Sequence, residues 1–253
     1  MDYTDRFKDK VAIVTGSAGG IGEAYARAFA EQGAAVVIAD IDTDGAAKVA
    51  ASIDDNGGRV IATEVDVSQP ASAEAMVAAG VEAFGGVDIL VNNAAIYGTM
   101  KIDGLASVDW DYYKHFMAVN FDGVLVCTRA VRRTMRKRGG GVILNQSSTA
   151  AYLYSMFYGV AKAGVNALTN QLAVELGGQG IRVNAIAPGP IDTAATRTVT
   201  PGTIADDMAA GLPIARMGQP ADLVGMALFL CSDEASWITG QIVHVDGGQI
   251  LKP

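Results

Sequence analysis

Seven short runs of apolar and β-branched residues recur along this chain: Val11–Thr15, Ala35–Ala39, Val60–Glu64, Ile89–Val91, Gly141–Asn145, Arg182–Ile186 and Ile242–Val245. Stretches of helical length separate most of them, at Ile21–Gln32, Thr43–Asp54, Ala71–Ala83, Asp109–Arg138 (with room for a break inside it), Met156–Leu176 and Pro220–Cys231. Strands joined through helices pair in parallel by right-handed crossovers. Their unbroken apolar character means that helices cover both faces of the sheet. The expected fold is therefore α/β: one doubly wound domain over residues 1–253, with a seven-stranded parallel sheet. One segment departs from the rhythm. Between Pro188 and Gly218, Pro188, Pro190, Pro201 and Pro213 with Gly189, Gly202 and Gly211 interrupt any long element, so residues 188–218 are expected to form a mobile substrate lid.

Half of the 253 residues are apolar and 18% are charged, enough to build a sizeable core and too few charges for a disordered chain. Lys and Arg number 19 against 27 acids, a net charge of −8, which argues against a nucleic-acid partner. The basic cluster Arg132-Arg133 with Arg136-Lys137-Arg138 reads as a solvated helix C-terminus, where cations suit the dipole. No run approaches the ~18 apolar residues of a membrane span, and Met1 to Arg6 lack the apolar stretch of a secretory signal, so no membrane association and a cytoplasmic location are expected. Two Cys and two His, far apart, do not make a zinc site. Asp40-Ile-Asp42-Thr-Asp44-Gly45 imitates the start of a calcium loop, but Ala51 stands where a bidentate Glu is needed, and no metal is expected.

Thr15-Gly16-Ser17-Ala18-Gly19-Gly20-Ile21-Gly22 follows the first apolar run and opens an alanine-rich helix. Glycines there let the backbone turn tightly and approach a diphosphate, whose charge suits the helix N-terminus, as in a Rossmann-type dinucleotide site. Gly16, Ser17, Gly20, Ile21 and Gly22 are the cofactor-binding candidates of this turn. Asp40 closes the second run 18 residues after Gly22, where a carboxylate accepts ribose hydroxyls and repels a 2′-phosphate. No Arg or Lys stands at Ser17, Ala18 or Gly19 to offset that repulsion, so NAD is expected in preference to NADP.

Tyr158 and Lys162 lie four apart in a helical stretch and so share one face. A phenol is mostly protonated at neutral pH, and a neighbouring ammonium together with a positively charged oxidised nicotinamide is expected to favour its ionised form; lowering its pKa by about 3 corresponds to about 4 kcal/mol. Ser147-Ser148 ends the fifth run, where a doubly wound sheet binds ligands, and a hydroxyl there suits an oxygen that becomes an alkoxide. Together with the glycine turn, these residues point to hydride transfer with tyrosine as acid/base.

In combination these motifs resemble the short-chain dehydrogenase/reductase family over essentially the whole chain, with Asn92-Asn93-Ala94-Ala95, Asn120, Pro188-Gly189 with Thr193, and Val245-Asp-Gly-Gly248 adding to the match. The resemblance implies catalytic roles for Asn120, Ser148, Tyr158 and Lys162, with Asn120 holding through its backbone a water that reaches Lys162. It implies adenine and ribose contacts at Asp66 and Asn92, nicotinamide contacts at Ile191 and Thr193, and further cofactor contacts at Ile41, Val67, Ala94, Tyr158, Lys162, Pro188 and Gly189. It also favours Ser148 over Ser147, and a homotetramer. Ala95 stands where the family usually has glycine, and only ten positions separate Ser148 from Tyr158, a few fewer than is common.

The implied activity is NAD-dependent interconversion of a secondary alcohol and a ketone. Tyr97, Met100, Tyr152, Leu153, Tyr154, Met156 and Phe157 are expected to line an apolar pocket suited to a cyclic or aryl substrate, and Arg197 and Arg216 are the cations within reach of an anionic one. The alternatives are a non-catalytic NAD-binding sensor or scaffold, and a 3-oxoacyl-type ketone reductase.

Overall fold

The structure, a computed structural model, describes residues 5–200 and 202–251; Met1–Thr4, part of the polar start, and the breaker Pro201 lie outside the described residues. The seven apolar runs are strands: β1 (Val11–Thr15), β2 (Ala35–Asp40), β3 (Val60–Glu64), β4 (Ile89–Asn92), β5 (Gly141–Gln146), β6 (Ile181–Pro188) and β7 (Ile242–Val245). All pair in parallel, in the order β3-β2-β1-β4-β5-β6-β7. The order reverses between β1 and β4, and that reversal opens a crevice at the carboxyl ends of the strands. β6 runs two residues past its expected end, because Pro188 needs no N–H donor at its last pairing, with Val245.

Helices α1 (Gly20–Glu31), α2 (Thr43–Asp54), α3 (Pro70–Phe84), α4 (Trp110–Met117), α5 (Gly123–Lys137), α6 (Met156–Gly177), α7 (Ala194–Val199), α8 (Gly202–Ala210) and α9 (Pro220–Cys231) complete the chain. Their ends follow local chemistry. Asp42 accepts from the Gly45 amide to start α2, Gln219 and Asp222 form a reciprocal cap at the start of α9, and Gly85 at φ 83° stops α3. Strand side chains alternate between two cores. Val14, Val36 and Ile38 pack with α1, α2 and α9, whereas Ile13, Val37 and Ala39 pack with α3, α5 and α6.

The long helical stretch 109–138 is broken, as its length allowed. A π-helical turn, Ala118–Asp122, separates α4 from α5, and within it the Asn120 side chain donates to the Phe116 carbonyl at 3.1 Å. Such turns recur where a helix must re-aim a functional residue. Between Pro188 and Gly218 the breakers leave only the short helices α7 and α8. Among the described residues no helix is long and apolar enough to cross a membrane.

Candidate active site

A cleft of about 590 Å³ opens over the carboxyl ends of the strands. Its floor is the glycine turn. Gly16 and Gly20 adopt φ of 64° and 59°, conformations that disfavour any side chain. The turn is pinned from beneath: Asn93 Nδ2 donates to the carbonyls of Thr15 (3.0 Å) and Gly16 (2.8 Å), and Thr15 Oγ1 accepts from the amides of Asn93 and Ala94. Gly22 lies so close that a Cβ there would sit 2.2 Å from the Gly16 oxygen. Above the turn there is space instead. A Cβ on Gly19 would meet nothing within 4 Å, and Gly19 begins α1 without a side-chain cap, leaving first-turn amides open to an anion.

At the end of β2, Asp40 lines the cleft and accepts from the amides of Ala18 (2.9 Å) and Asp42 (3.0 Å), which hold its carboxylate in place. Asp66 likewise accepts from the Ser68 amide at 2.9 Å. An open helix start, a glycine floor and a fixed carboxylate together fit a dinucleotide.

Ser148, Tyr158 and Lys162 also line the cleft. Tyr158 and Lys162 share one face of α6, with the amine 5.8 Å from the centre of the phenol ring, and Ser148 lies close enough to the phenol to favour its ionised form. Ser147 is engaged elsewhere, donating to Asn166 Oδ1 at 2.5 Å, so the second serine of the pair is the one that meets the tyrosine. Lys162 is buried and donates to the Gln146 carbonyl at 2.8 Å.

Burial pushes the Tyr158 phenol well above its usual value, the neighbouring Tyr97 adds to the rise, and the nearness of Ser148 opposes both. Burial also pushes the Lys162 ammonium down to about 8. Among the protein's own groups desolvation prevails, because neither charged form has water to stabilise it; the expected lowering of the phenol draws on the charge of oxidised nicotinamide as well as on the ammonium.

Of the remaining expected site residues, Gly16, Gly20, Ile21, Asp40, Ile41, Asp66, Val67, Ala94, Pro188, Gly189, Ile191 and Thr193 line the cleft. Four others do not. Ser17 is turned inward, donating to the Val14 carbonyl and accepting from the Ala39 amide, and so braces the turn. Gly22 serves close packing alone. Asn92 faces the sheet interior, where its Nδ2 reaches Asn145 Oδ1 (2.9 Å) and Thr128 Oγ1 (3.4 Å), while Asn145 donates on to Thr169. Asn120 is buried on the π-helical turn, its side chain held by Phe116.

The expected aromatic pocket is also corrected: only Tyr97 of its seven residues lines the cleft. Phe157, one position before Tyr158, points away into the core against Phe116, and Tyr154 is fully exposed. Successive helical positions turn about 100°, so neighbours of a site residue face elsewhere. Ile96, His115 and Val119 join Tyr97 in the cleft instead. Arg197 and Arg216 are each held by two hydrogen bonds, to Asp192 and Asp222 respectively. The sequence expectations give no role to Asn93, His115 or Gln146; for Gln146, the signal is its place beside Asn145 at the end of the fifth run, just before the serine pair.

Comparison with known proteins agrees with this geometry. The family described as enoyl-(acyl carrier protein) reductase matches residues 16–249. An uncharacterized oxidoreductase of Mycobacterium tuberculosis is 69% identical over 246 residues, covering 97% of this chain and 99% of that protein. The crystal structure of a short-chain type dehydrogenase/reductase from Mycobacterium marinum superposes with a TM-score of 0.92 at 31% identity, covering 98% of each chain. A 7α-hydroxysteroid dehydrogenase complexed with NADH and 7-oxo glycochenodeoxycholic acid gives a TM-score of 0.92 at 37% identity, covering 98% of this chain and 97% of that one.

Proposed function

This chain belongs to the short-chain dehydrogenase/reductase family of oxidoreductases, and from that membership we propose that it moves hydride between NAD(H) and a secondary alcohol or its ketone. The meeting of Ser148, Tyr158 and Lys162 at the end of β5, in the same cleft as the glycine turn and Asp40, is the observation that carries this reading. When bound, the nicotinamide supplies the hydride acceptor or donor. The chain's own residues handle the proton. Tyr158, ionised, takes the hydroxyl proton of the alcohol as the carbon–hydrogen bond breaks, and Ser148 holds the oxygen while it becomes a carbonyl. Lys162, tied to the Gln146 carbonyl, keeps a positive charge beside the phenolate.

The wall formed by Ile96, Tyr97 and Val119 favours an apolar substrate, cyclic or aryl in character. Because Arg197 and Arg216 are already bound to carboxylates, a neutral substrate suits the site better than an anion. Residues 188–218 act in this reading as the lid, and Thr198 already donates to the Gly98 carbonyl, one position after Tyr97. The assembly we propose is a cytoplasmic homotetramer, on family resemblance. A panel of secondary alcohols and ketones, scored by NADH absorbance with NAD and with NADP, tests the assignment; absence of turnover across it would favour a sensor or scaffold.

Asp40 carries the cofactor choice. Asp40→Asn keeps the shape and an acceptor for the Ala18 amide but removes the charge. It is expected to lower kcat/KM with NAD by about 10- to 100-fold, the worth of a charge-assisted hydrogen bond, and to raise it with NADP. Equal kcat/KM values before and after the change would release Asp40 from this role.

A further inference from the structure

Gln146 closes β5 beside the serine pair, lines the cleft and is 6% exposed. Its carbonyl accepts from Lys162 Nζ at 2.8 Å, and its Oε1 accepts from the Tyr25 hydroxyl, on α1, at 3.1 Å. Its Nε2, in contrast, is buried without a hydrogen-bond partner. A buried, unsatisfied amide is costly and rare, and here it closes a strand in which Leu144, two positions earlier, and Ile186, its pairing partner on β6, are wholly buried and apolar. Methionine would fill that place with no orphaned donor. The hydroxyl of Tyr25, itself 1% exposed, needs an acceptor, and this holds the amide with Oε1 toward α1. Contact with the Lys162 amine puts Gln146 at the reacting end of the cleft, away from the adenosine end marked by Asp40.

Resting on the dehydrogenase reading above, we propose that Gln146 is a positioning residue for the nicotinamide half of the dinucleotide, its Nε2 donating to an acceptor oxygen of that half. Tyr25 fixes the amide's orientation from behind. In one stroke the residue then sets both ends of the reacting pair, Lys162 through its backbone and the nicotinamide nucleotide through its side chain.

The test compares affinities for NADH, by its fluorescence, and for ADP, which lacks the nicotinamide half. Gln146→Met is expected to weaken NADH about tenfold, the value of one lost hydrogen bond, and to leave ADP within about twofold. Tyr25→Phe combined with Gln146→Met removes both polar partners at once; it is expected to show the same loss with an unliganded Tm at or above that of the wild type, and it carries the measurement where the single variant folds poorly. Tyr25→Phe alone, which retains the amide, should hold NADH affinity within about threefold. An NADH affinity unchanged by losing the amide overturns the proposal, as does an equal loss for ADP, which marks a packing defect. A wild-type protein that binds ADP but not NADH overturns the dehydrogenase reading itself, a result separable from the other two.

Discussion

Replacing Tyr158 with phenylalanine is expected to lower kcat for alcohol oxidation by about a thousandfold or more while NADH affinity stays within about twofold. General acid–base catalysis contributes about 10²- to 10⁴-fold, and Tyr158 is the phenol that shares α6 with Lys162 and the cleft with Ser148. Phenylalanine keeps the packing against Tyr97 and Phe116, so the fold should be untouched. A variant retaining a tenth of the activity would remove Tyr158 from the mechanism. The same pair of residues dictates the pH profile. With Lys162 at about 8 and Tyr158 above its usual range, the first proton leaves the pair near pH 8. The singly deprotonated pair exists as neutral amine with phenol or as ammonium with phenolate, in a ratio independent of pH. Oxidation needs the phenolate form, so log kcat/KM should rise with a slope near one below pH 8 and level off above it. Ketone reduction needs the protonated phenol and should fall over the range where oxidation has levelled. In Lys162→Met the rise should continue to higher pH, because the phenol then titrates alone; an unmoved break would show that Lys162 sets nothing.

The second large effect lies in the glycine turn. Gly22→Ala puts a methyl carbon 2.2 Å from the Gly16 oxygen and 2.6 Å from Asn93 Nδ2, and the nearer of these is backbone that cannot swing aside. The expected cost is about 3 kcal/mol, the upper part of the range for overpacking, or roughly 6–12 °C in Tm for a chain of this size. NADH affinity should fall about a hundredfold with it, since the amides of the turn lose their alignment. Gly19→Ala is the matched control. Its methyl meets no protein atom within 4 Å, so Tm should hold while NADH binding weakens, the methyl now occupying the open side of the turn. Should Gly22→Ala melt with the wild type, the close packing would lack the role given to it. Should Gly19→Ala bind NADH normally, the diphosphate passes elsewhere.

Much of this architecture was legible because it rests on local pattern. The strands are buried on both faces and therefore read as unbroken apolar runs, and the four-residue spacing of Tyr158 and Lys162 states a shared helical face without reference to anything distant. Direction was harder to read. Ser17, Gly22 and Asn92 belong to the right segments, yet a turn or strand end sends alternate side chains to opposite sides, and nothing local says which side holds the ligand. Tyr152, Leu153 and Tyr154 are aromatic or apolar and close to the acid/base in sequence, but the short turn before α6 carries them outward. The rise of the Tyr158 phenol was hidden for a related reason. Spacing reveals the ammonium nearby, whereas desolvation depends on Tyr97, Phe116 and the rest of the enclosure, which converge only in three dimensions.

The hydrogen bonds that run from Thr128 through Asn92 and Asn145 to Thr169 cross the sheet interior and rivet α5, β4, β5 and α6 into one block. Sliding α6 along the sheet would strand several amide and hydroxyl groups in a dry interior at once. On our reading the half that bears the tyrosine and lysine is thus the anvil, and the work of admitting and releasing molecules falls to the opposite wall.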